Sequence, residues 1–256
     1  MMKRVVLVLC SLTALLSCGS KIEMRTGDDT DSSAFGVIKY VSLFNKDMNR
    51  TLKTTVWLPA EYDESRSYPF LYLLHGYGDD NDSWIQKGRA YSIANKYLDG
   101  GGVPMVIVMP DGLTEFYQGR YETYMHEELM PMVESKFHCN GKRAVAGLSM
   151  GGYGTLYHAL KYPDKFTYAY AMSPAADLNA FRILATAHDP SEYPPFTVES
   201  GTQDYTVGIE GVRELADMLI SCGLRCEFIE RPGGHDWSFW PVCLEKALVK
   251  VGKSFE

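Results

Sequence analysis

A serine flanked by closely spaced glycines is the residue whose surroundings point most directly to chemistry. The run Gly147-Leu148-Ser149-Met150-Gly151 lies between a stretch of apolar residues and a segment with helical periodicity. Between a strand and a helix, this G-x-S-x-G pattern predicts a tight turn that lifts the serine hydroxyl clear of a sheet. A serine that only caps a helix would not require the nearby glycines. We therefore predict that Ser149 is a nucleophile.

A nucleophilic serine needs a general base, and the six histidines of the chain compete for that role. His235 lies in a glycine-rich loop between the last predicted strand and the last predicted helix, so we predict that it is the base. His75 ends a predicted central strand, where it is expected to shape a loop, and His188 lies in an irregular stretch. The other histidines fall on or at the ends of predicted helices, as packed or solvated side chains: His126, His138 and His158.

The base must be oriented by an acid, and Asp204 follows the predicted strand 196–199. Its carboxylate would hold the imidazole in the correct tautomer and stabilise the imidazolium that forms. Asp236 adjoins the histidine and cannot easily reach its far nitrogen, whereas Asp177 and Asp189 lie in a connecting segment. The chain order of nucleophile, acid and base is that of α/β-hydrolases.

An acyl-transfer site also needs two N–H donors for the oxyanion of the tetrahedral intermediate. The backbone N–H of Met150, the residue after the nucleophile, is the first predicted donor. The second is expected from the glycine-rich run His75-Gly76-Tyr77-Gly78, which follows a buried strand. Within that run we predict Tyr77 as the donor, with Gly76 as the alternative.

Strands and helices alternate along most of the chain. Paired antiparallel strands are predicted at 36–45 and 51–58, followed by buried strands at 68–74, 103–109, 143–148, 166–172, 196–199 and 225–229. Helices are predicted at 83–98, 122–137, 151–162, 209–221 and 237–251. This alternation predicts an α/β fold with a mostly parallel central sheet and helices on both faces. The connection from 175 to 195 has room for one short covering helix. Ligands of such sheets bind outside the carboxyl ends of the strands.

The N-terminal residues resemble a secretion signal. Lys3 and Arg4 precede an apolar run at 5–16 that is too short to remain as a membrane-spanning helix. The run ends in Leu-Leu-Ser-Cys, which resembles a bacterial lipobox, and we predict that Cys18 is lipidated and becomes the new N-terminus. The alternative is an ordinary signal peptide with an incidental cysteine. We expect an exported protein, anchored through lipid in the bacterial cell envelope.

The composition predicts three segments along the chain and argues against some classes of partner. Residues 1–18 are the predicted signal, 19–35 a polar flexible tether, and 36–256 a single domain. The net charge of −7 and the absence of a basic cluster argue against nucleic acid as a partner. No cofactor or metal motif is present, and we expect none to be needed. Cys222 and Cys226 lack the second ligand pair of a zinc site, so they are predicted to be buried thiols or a local disulfide.

The sequence resembles the esterase family that contains S-formylglutathione hydrolases, tributyrin esterases, feruloyl and acetyl-xylan esterases, and mycolyltransferases. The matching segments are 68–76, 121–124 with 128, 129 and 131, the run around Ser149, 201–204, and 234–237 with Trp240. The resemblance implies the α/β-hydrolase fold, the triad Ser149, Asp204 and His235, and oxyanion donors at Tyr77 and Met150. The segment 174–195 is shorter than in many relatives, so the resemblance does not fix the substrate.

The leading hypothesis is a serine carboxylesterase that acts on short-chain or aromatic acyl esters of a small molecule or an oligosaccharide through an acyl-enzyme. Gly76, Tyr205 and Trp237 are candidate substrate contacts, although Trp237 and Trp240 could instead pack the last helix against the sheet. An acyltransferase that uses a sugar acceptor would need the same machinery. A peptidase of this fold often carries a large extra domain, for which 256 residues leave no room. A non-catalytic carbohydrate-binding lipoprotein would be expected to have lost a triad residue.

The lipobox-like sequence predicts a modified N-terminus. Mass spectrometry of the protein from its native membrane should find a mature chain that begins at Cys18 with several acyl chains, because a single chain anchors only marginally. Cys18→Ser should release the protein from the membrane. Cleavage at another residue, or a membrane-bound Cys18→Ser variant, would contradict the prediction.

Overall fold

A computed structural model describes residues 23–26 and 35–256. Within them, nine strands join one sheet in the order β1-β2-β3-β5-β4-β6-β7-β8-β9. The strands are β1 (Glu23–Thr26), β2 (Val37–Asn45), β3 (Arg50–Leu58), β4 (Tyr68–Leu74), β5 (Val106–Pro110), β6 (Cys139–Leu148), β7 (Tyr168–Met172), β8 (Phe196–Gly201) and β9 (Cys226–Arg231). The first three pair antiparallel, and β3 pairs antiparallel with β5. From β5 across to β9 every pairing is parallel, which confirms the predicted mostly parallel sheet.

The central strand β4 shows why the sheet is covered on both faces. All seven of its residues are buried, as expected for a parallel strand between two helical layers. Phe70, Tyr72 and Leu74 belong to one hydrophobic core, and Leu71 and Leu73 belong to a second. Alternate strand residues point to opposite faces, so the two cores lie on opposite sides of the sheet.

The helices follow the predicted segments with two differences. They are α1 (Ser83–Gln86), α2 (Ala90–Asp99), α3 (Arg120–Tyr124), α4 (Met130–Lys136), α5 (Met150–Lys161), α6 (Leu178–Ala185), α7 (Ile209–Ser221) and α8 (Trp240–Phe255). The predicted helix 83–98 is interrupted because Arg89 adopts a left-handed φ of 53° next to Gly88, which lies against the rings of Trp84 and Trp237. The predicted helix 122–137 contains a π-helical turn, Met125–Leu129, between α3 and α4.

The connection between β7 and β8 contains one helix of eight residues, α6, as predicted from its length. The side chain of Asp177 caps α6 by accepting a hydrogen bond from the N–H of Ala180. Asp189 caps the 3-10 turn Pro190–Glu192 in the same way. Two of the carboxylates that competed with Asp204 as the acid are therefore used as local helix caps.

The structure describes only part of the N-terminal region for which predictions were made. Residues 23–26, within the predicted tether 19–35, form β1 and pair with β2. The predicted signal and Cys18 lie outside the described residues. None of the helices in the described part of the chain is long and apolar enough to span a membrane. Within 35–256 the thiols are free: Cys139, Cys222, Cys226 and Cys243.

Two histidines that were predicted on helices, His158 on α5 and His126 on the π-helical turn, contact each other. His126 Nε2 lies 3.0 Å from His158 Nδ1, and Lys165 Nζ lies 3.1 Å from His126 Nδ1. Burial lowers the pKa of His158 to about 3 and that of His126 to about 4, and for His126 the nearby Lys165 acts in the same direction. Both imidazoles are therefore neutral in the folded protein at pH 5, whereas an unfolded chain would protonate them.

This pair predicts that acid destabilises the fold. Below pH 6.5 the unfolded chain binds protons that the folded chain does not, so the free energy of unfolding falls as pH drops towards 4. The slope is up to about 1.4 kcal/mol per pH unit for each such proton. His158→Gln removes one of the two groups that bind a proton only in the unfolded chain. The free energy of unfolding, measured by urea denaturation between pH 7 and pH 4.5, should therefore fall less steeply with pH in this variant. The exposed His138→Gln is the control, and equal slopes in both variants would contradict this assignment.

Candidate active site

Ser149 occupies the single residue between β6 and α5. Its backbone has φ 54° and ψ −115°, a conformation that is costly for a residue with a side chain. Three backbone hydrogen bonds hold it. Ser149 N donates to the carbonyl of Met172 (2.8 Å), and the carbonyl of Ser149 accepts from Tyr153 N (2.9 Å) and Ala175 N (3.3 Å). A Cβ on Gly151 would collide with the backbone of Leu74. The predicted tight turn is therefore present, and its flanking glycine is required by close approach to β4.

The three residues of the predicted triad come together at the carboxyl edge of the parallel strands. His235 Nε2 lies 2.9 Å from Ser149 Oγ, and His235 Nδ1 lies 2.8 Å from Asp204 Oδ2. A carboxylate can only accept, so Nδ1–H donates to Asp204 and leaves Nε2 free to accept the serine proton. The imidazole side chain is 11% exposed and the carboxylate is fully buried. This geometry suits a serine nucleophile with a positioned base.

The surroundings of Asp204 keep its carboxylate ionised. Burial raises the pKa, but hydrogen bonding and charge attraction from His235 and donation by the N–H of Val207 outweigh it, so the pKa is below its ordinary value. The N–H groups of Thr206 and Val207 lie 3.2 Å from Oδ1. These donors occupy one carboxylate oxygen and leave the other to His235.

The remaining candidates have other tasks. His75 accepts from the N–H of Gly112 at Nε2 (2.7 Å), and its Nδ1 donates to the carbonyl of Gly76 (2.7 Å), which confirms that it shapes the loop. Asp236 accepts from the N–H of Ser238. In the described part of the chain, no group of three or more His, Cys, Asp or Glu side chains could hold a metal ion.

The predicted oxyanion loop lies directly against the nucleophile. A Cβ built on Gly76 would stand 3.5 Å from Ser149 Cβ and 2.6 Å from the side chain of Leu148, so a larger residue there would have to displace the Leu148 side chain. Met150 is the first residue of α5, where backbone N–H groups have no partner within the helix. The loop after β4 and the start of α5 thus flank Ser149. The use of the Tyr77 and Met150 N–H groups as oxyanion donors stays a prediction.

The other candidate substrate contacts differ in exposure. Tyr205 exposes 87% of its surface beside Asp204. Trp237 is half-buried, with its ring edge-to-face against Trp84 and Trp240 at 5.2 Å from each. Trp240 is buried and packs edge-to-face on His235 at 5.0 Å. The tryptophans therefore pack the start of the last helix and support the base, as the alternative interpretation expected.

An aromatic strip beside the nucleophile was not identified from the sequence. It consists of Tyr77, Phe116 and Tyr153, with ring centroids 6.4 Å and 5.4 Å apart in succession. Tyr153 lies one turn after Ser149 on α5, and the Tyr77 side chain is 66% exposed. Phe116 has a left-handed φ of 51°, as do two neighbours in the same loop, Leu113 and Tyr117, at similar angles. The sequence contains no local motif that predicts this strip, because its members come from three separate segments.

Comparison with known proteins identifies a family and several relatives that are similar to this chain. The family described as "Putative esterase" matches residues 45–251. An endo-1,4-beta-xylanase/feruloyl esterase of Xylanibacter ruminicola is 28% identical over 237 residues, and the match covers 85% of this chain but 32% of that protein. This chain thus spans about a third of that relative. An acetyl esterase of Caldicellulosiruptor saccharolyticus is 23% identical, over 84% of this chain and 98% of its own length.

A solved structure gives the same result for the fold. A ferulic acid esterase superimposes with a TM-score of 0.79 and 26% identity, over 86% of this chain and 100% of the other. The predicted α/β-hydrolase fold is confirmed.

Triad variants test the roles of these residues. Ser149→Ala and His235→Ala should each lower kcat for nitrophenyl acetate by roughly 10⁴-fold or more with folding intact, because nucleophile and base act as a unit. Asp204→Asn should cost somewhat less, since it leaves an imidazole in place but in the wrong tautomer.

Two other side chains of the same types provide the controls. His188→Ala and Asp236→Asn change a histidine and an aspartate that do not contact Ser149 in the described hydrogen bonds, and both should retain most of the activity. If Ser149→Ala hydrolysed nitrophenyl acetate at the parent rate, the assignment of the site would be wrong.

Proposed function

This chain belongs to the family described as "Putative esterase", and from that premise we propose that it is a serine carboxylesterase acting on carbohydrate esters. Its acyl groups are short-chain or aromatic, such as acetyl or feruloyl. The observation that carries the proposal is the hydrogen-bonded series Ser149–His235–Asp204 at the carboxyl edge of the parallel strands. The names of the feruloyl and acetyl esterases to which the chain is similar support the choice of acyl group.

The reaction proceeds in two half-reactions. Ser149 Oγ attacks the ester carbonyl carbon while its proton passes to His235 Nε2, and the imidazolium is stabilised by Asp204. The C–O bond to the alcohol breaks, and the alcohol leaves with the proton from Nε2. Water then gives a proton to Nε2 and attacks the acyl carbon, which releases the acid and restores the serine hydroxyl.

Charge that develops on the carbonyl oxygen is stabilised by backbone donors. The N–H of Met150 is at the N-terminus of α5, where the helix dipole also favours negative charge. The N–H of Tyr77 lies on the loop whose Gly76 approaches Ser149. Preorganised donors of this kind stabilise the transition state without reorganisation during the reaction.

The packing of α6 favours short acyl groups. Phe181 and Ala185 on this helix are buried in the core, whereas Ile183 is 71% exposed. A tunnel for long acyl chains would need an apolar covering surface directed at the site, and α6 directs its buried apolar side chains into the protein. Each CH₂ that finds no such surface forgoes about 0.8 kcal/mol of burial. The substrate therefore binds in an open, shallow cleft.

The aromatic strip provides a surface for a planar group. Tyr77 follows Gly76, which approaches Ser149, and Tyr153 N donates to the carbonyl of Ser149, so two of the three residues lie on segments that adjoin the nucleophile. Gln118 donates a hydrogen bond to the Tyr153 hydroxyl. Offset or edge-to-face contact with such rings contributes about 0.5–1.5 kcal/mol beyond simple burial. A feruloyl ring fits this surface better than a flexible alkyl chain does.

We also propose that the enzyme works outside the cytoplasm, held to the cell envelope by lipid on Cys18. The lipobox-like residues support this location, and esters of plant polysaccharides or their fragments would be met there. The net charge of −7 argues against nucleic acid as a partner.

The open cleft predicts a distinctive chain-length profile. Across nitrophenyl esters, kcat/KM should be highest from acetyl to butyryl and decline for longer acyl groups, and methyl ferulate should be hydrolysed. Rates that climb steadily to decanoyl esters would mean that a covered apolar tunnel exists and that this part of the proposal is wrong.

The same panel tests the aromatic strip. Phe116→Ala should lower kcat/KM severalfold for methyl ferulate, because one aromatic contact is lost. Nitrophenyl acetate is the matched comparison substrate, since its acyl group carries no ring that could contact the strip. Equal losses on the two substrates would show that Phe116 supports the loop and does not contact the acyl group.

A further inference from the structure

Two successive glycines, Gly233 and Gly234, directly precede His235 in its loop. The first must be glycine, because it has a φ of 145° and a Cβ there would stand 2.4 Å from the Phe239 ring. Glycine has more conformational freedom to lose on folding than any other residue. The imidazole that lies 2.9 Å from Ser149 Oγ therefore follows the most flexible part of its loop, and contacts from outside that part have to hold it.

The regular pairing of β8 with β9 ends beside these glycines. The N–H of Thr202 donates to the carbonyl of Arg231 at 2.9 Å, which continues the ladder one residue past β8. Pro232 follows in the other segment and has no N–H to donate. The strand ladder therefore stops just before Gly233, and another group has to bind the backbone there.

Gln203 makes two hydrogen bonds to Gly233. Its backbone N–H donates to the carbonyl of Gly233 at 2.9 Å, and its side-chain Oε1 accepts from the N–H of Gly233 at 2.6 Å. Because a backbone N–H can only donate, the oxygen of the side-chain amide must face it. Both polar groups of the Gly233 backbone are thus bound by the residue that directly precedes Asp204, and these two bonds connect the loop of the acid to the loop of the base.

We propose that Gln203 is a positioning residue that holds His235 between Asp204 and Ser149. Its two bonds to Gly233 reach no side chain of the triad, so it acts through the backbone of the loop. Because these bonds join the two loops, a shift of one loop carries the other with it, which preserves the 2.8 Å contact between His235 Nδ1 and Asp204 Oδ2. The inference rests on the proposed role of Ser149 as nucleophile.

The pair of variants Gln203→Met and Gln203→Glu isolates the side-chain hydrogen bond. Methionine is about as long as glutamine but has only a weakly accepting sulfur, whereas glutamate keeps an oxygen that accepts from the Gly233 N–H. Gln203→Met should lower kcat for nitrophenyl acetate about fivefold with KM nearly unchanged, a fold-change of the size that one neutral hydrogen bond provides. Gln203→Glu should retain most of the parent kcat. An equal loss in both variants would overturn the proposal, because the acceptor would then have no role.

A spectroscopic measurement separates positioning of the base from a general loss of stability. The Nδ1–H proton of His235 lies in a charge-assisted hydrogen bond to Asp204, and it should give a downfield proton NMR resonance that is absent in His235→Ala. In Gln203→Met this resonance should broaden, because a looser loop lets the proton exchange with water, while the thermal unfolding temperature stays close to that of the parent. A resonance as sharp as in the parent would overturn the proposal, since the base would then still be held in place.

Gln86 provides a matched control for the change from glutamine to methionine. It is exposed at the end of α1, and its side chain makes no hydrogen bond with another of the described residues. Gln86→Met should leave both kcat and the downfield resonance unchanged, because no hydrogen bond is lost. A similar loss in this variant would mean that the effect is not specific to the contact with Gly233, which would overturn the role of Gln203.

The rate at which a fluorophosphonate probe labels Ser149 in each variant separates this inference from the proposed function. Labelling that slows in Gln203→Met while the parent protein hydrolyses no tested ester would contradict the proposed substrate and support the role of Gln203. Ester hydrolysis and labelling that are both unchanged in Gln203→Met would contradict the role of Gln203 alone. A parent protein that is neither labelled nor active would overturn both.

Discussion

The backbone of Ser149 is the constraint on which the rest of the site depends. A φ of 54° with a ψ of −115° is unfavourable for a residue that carries a side chain, and it persists only if neighbouring groups determine it. Those groups are the carbonyl of Met172, the N–H of Ala175 and the glycines around the turn, which let β4 approach without a clash. The end of β7 must therefore lie beside the end of β6, and the helix that follows must begin immediately. One strained residue in this way dictates which strands are neighbours and where small residues are required.

Structural features that depend on residues close together in the chain are the ones that a sequence predicts best. The turn around Ser149 needs its glycine at a fixed spacing, and buried parallel strands need continuous apolar runs, so both could be predicted. The features that could not be predicted depend on distant contacts. The break before α2 arises where Gly88 lies against two tryptophan rings, and the aromatic strip joins side chains from three segments.

Two buried carboxylates near the end of β8 show how the fold distinguishes an acid for catalysis from one for structure. Glu199 is fully buried, and hydrogen bonds from Lys246 (2.7 Å), Tyr170 and Arg231 (2.6 Å) satisfy it. Burial raises its pKa, and these partners lower it to below the ordinary value. Asp204 is equally buried but lacks a cationic partner of this kind other than His235. A carboxylate satisfied by permanent cations cannot respond to a proton on imidazole, whereas Asp204 gains its full partner only when His235 is charged. The difference in partners, and not in burial, assigns the two residues to different tasks.

The Glu199 network also connects the sheet to the loop of the base. Arg231 pairs with Glu199 through Nε and donates through Nη2 to the carbonyl of Phe239, with its guanidinium 3.5 Å from the centre of the Phe239 ring. Because Phe239 directly precedes α8, these contacts fix one end of the loop that carries His235, while Gly201 lies against the backbone of Gly233 at the other end. The loop that carries the imidazole is thus held at both ends. The proposed open cleft would make this rigidity necessary, because with little apolar surface around a short acyl group, substrate binding would provide little energy for assembling the site. The catalytic geometry must therefore already be formed before the ester arrives.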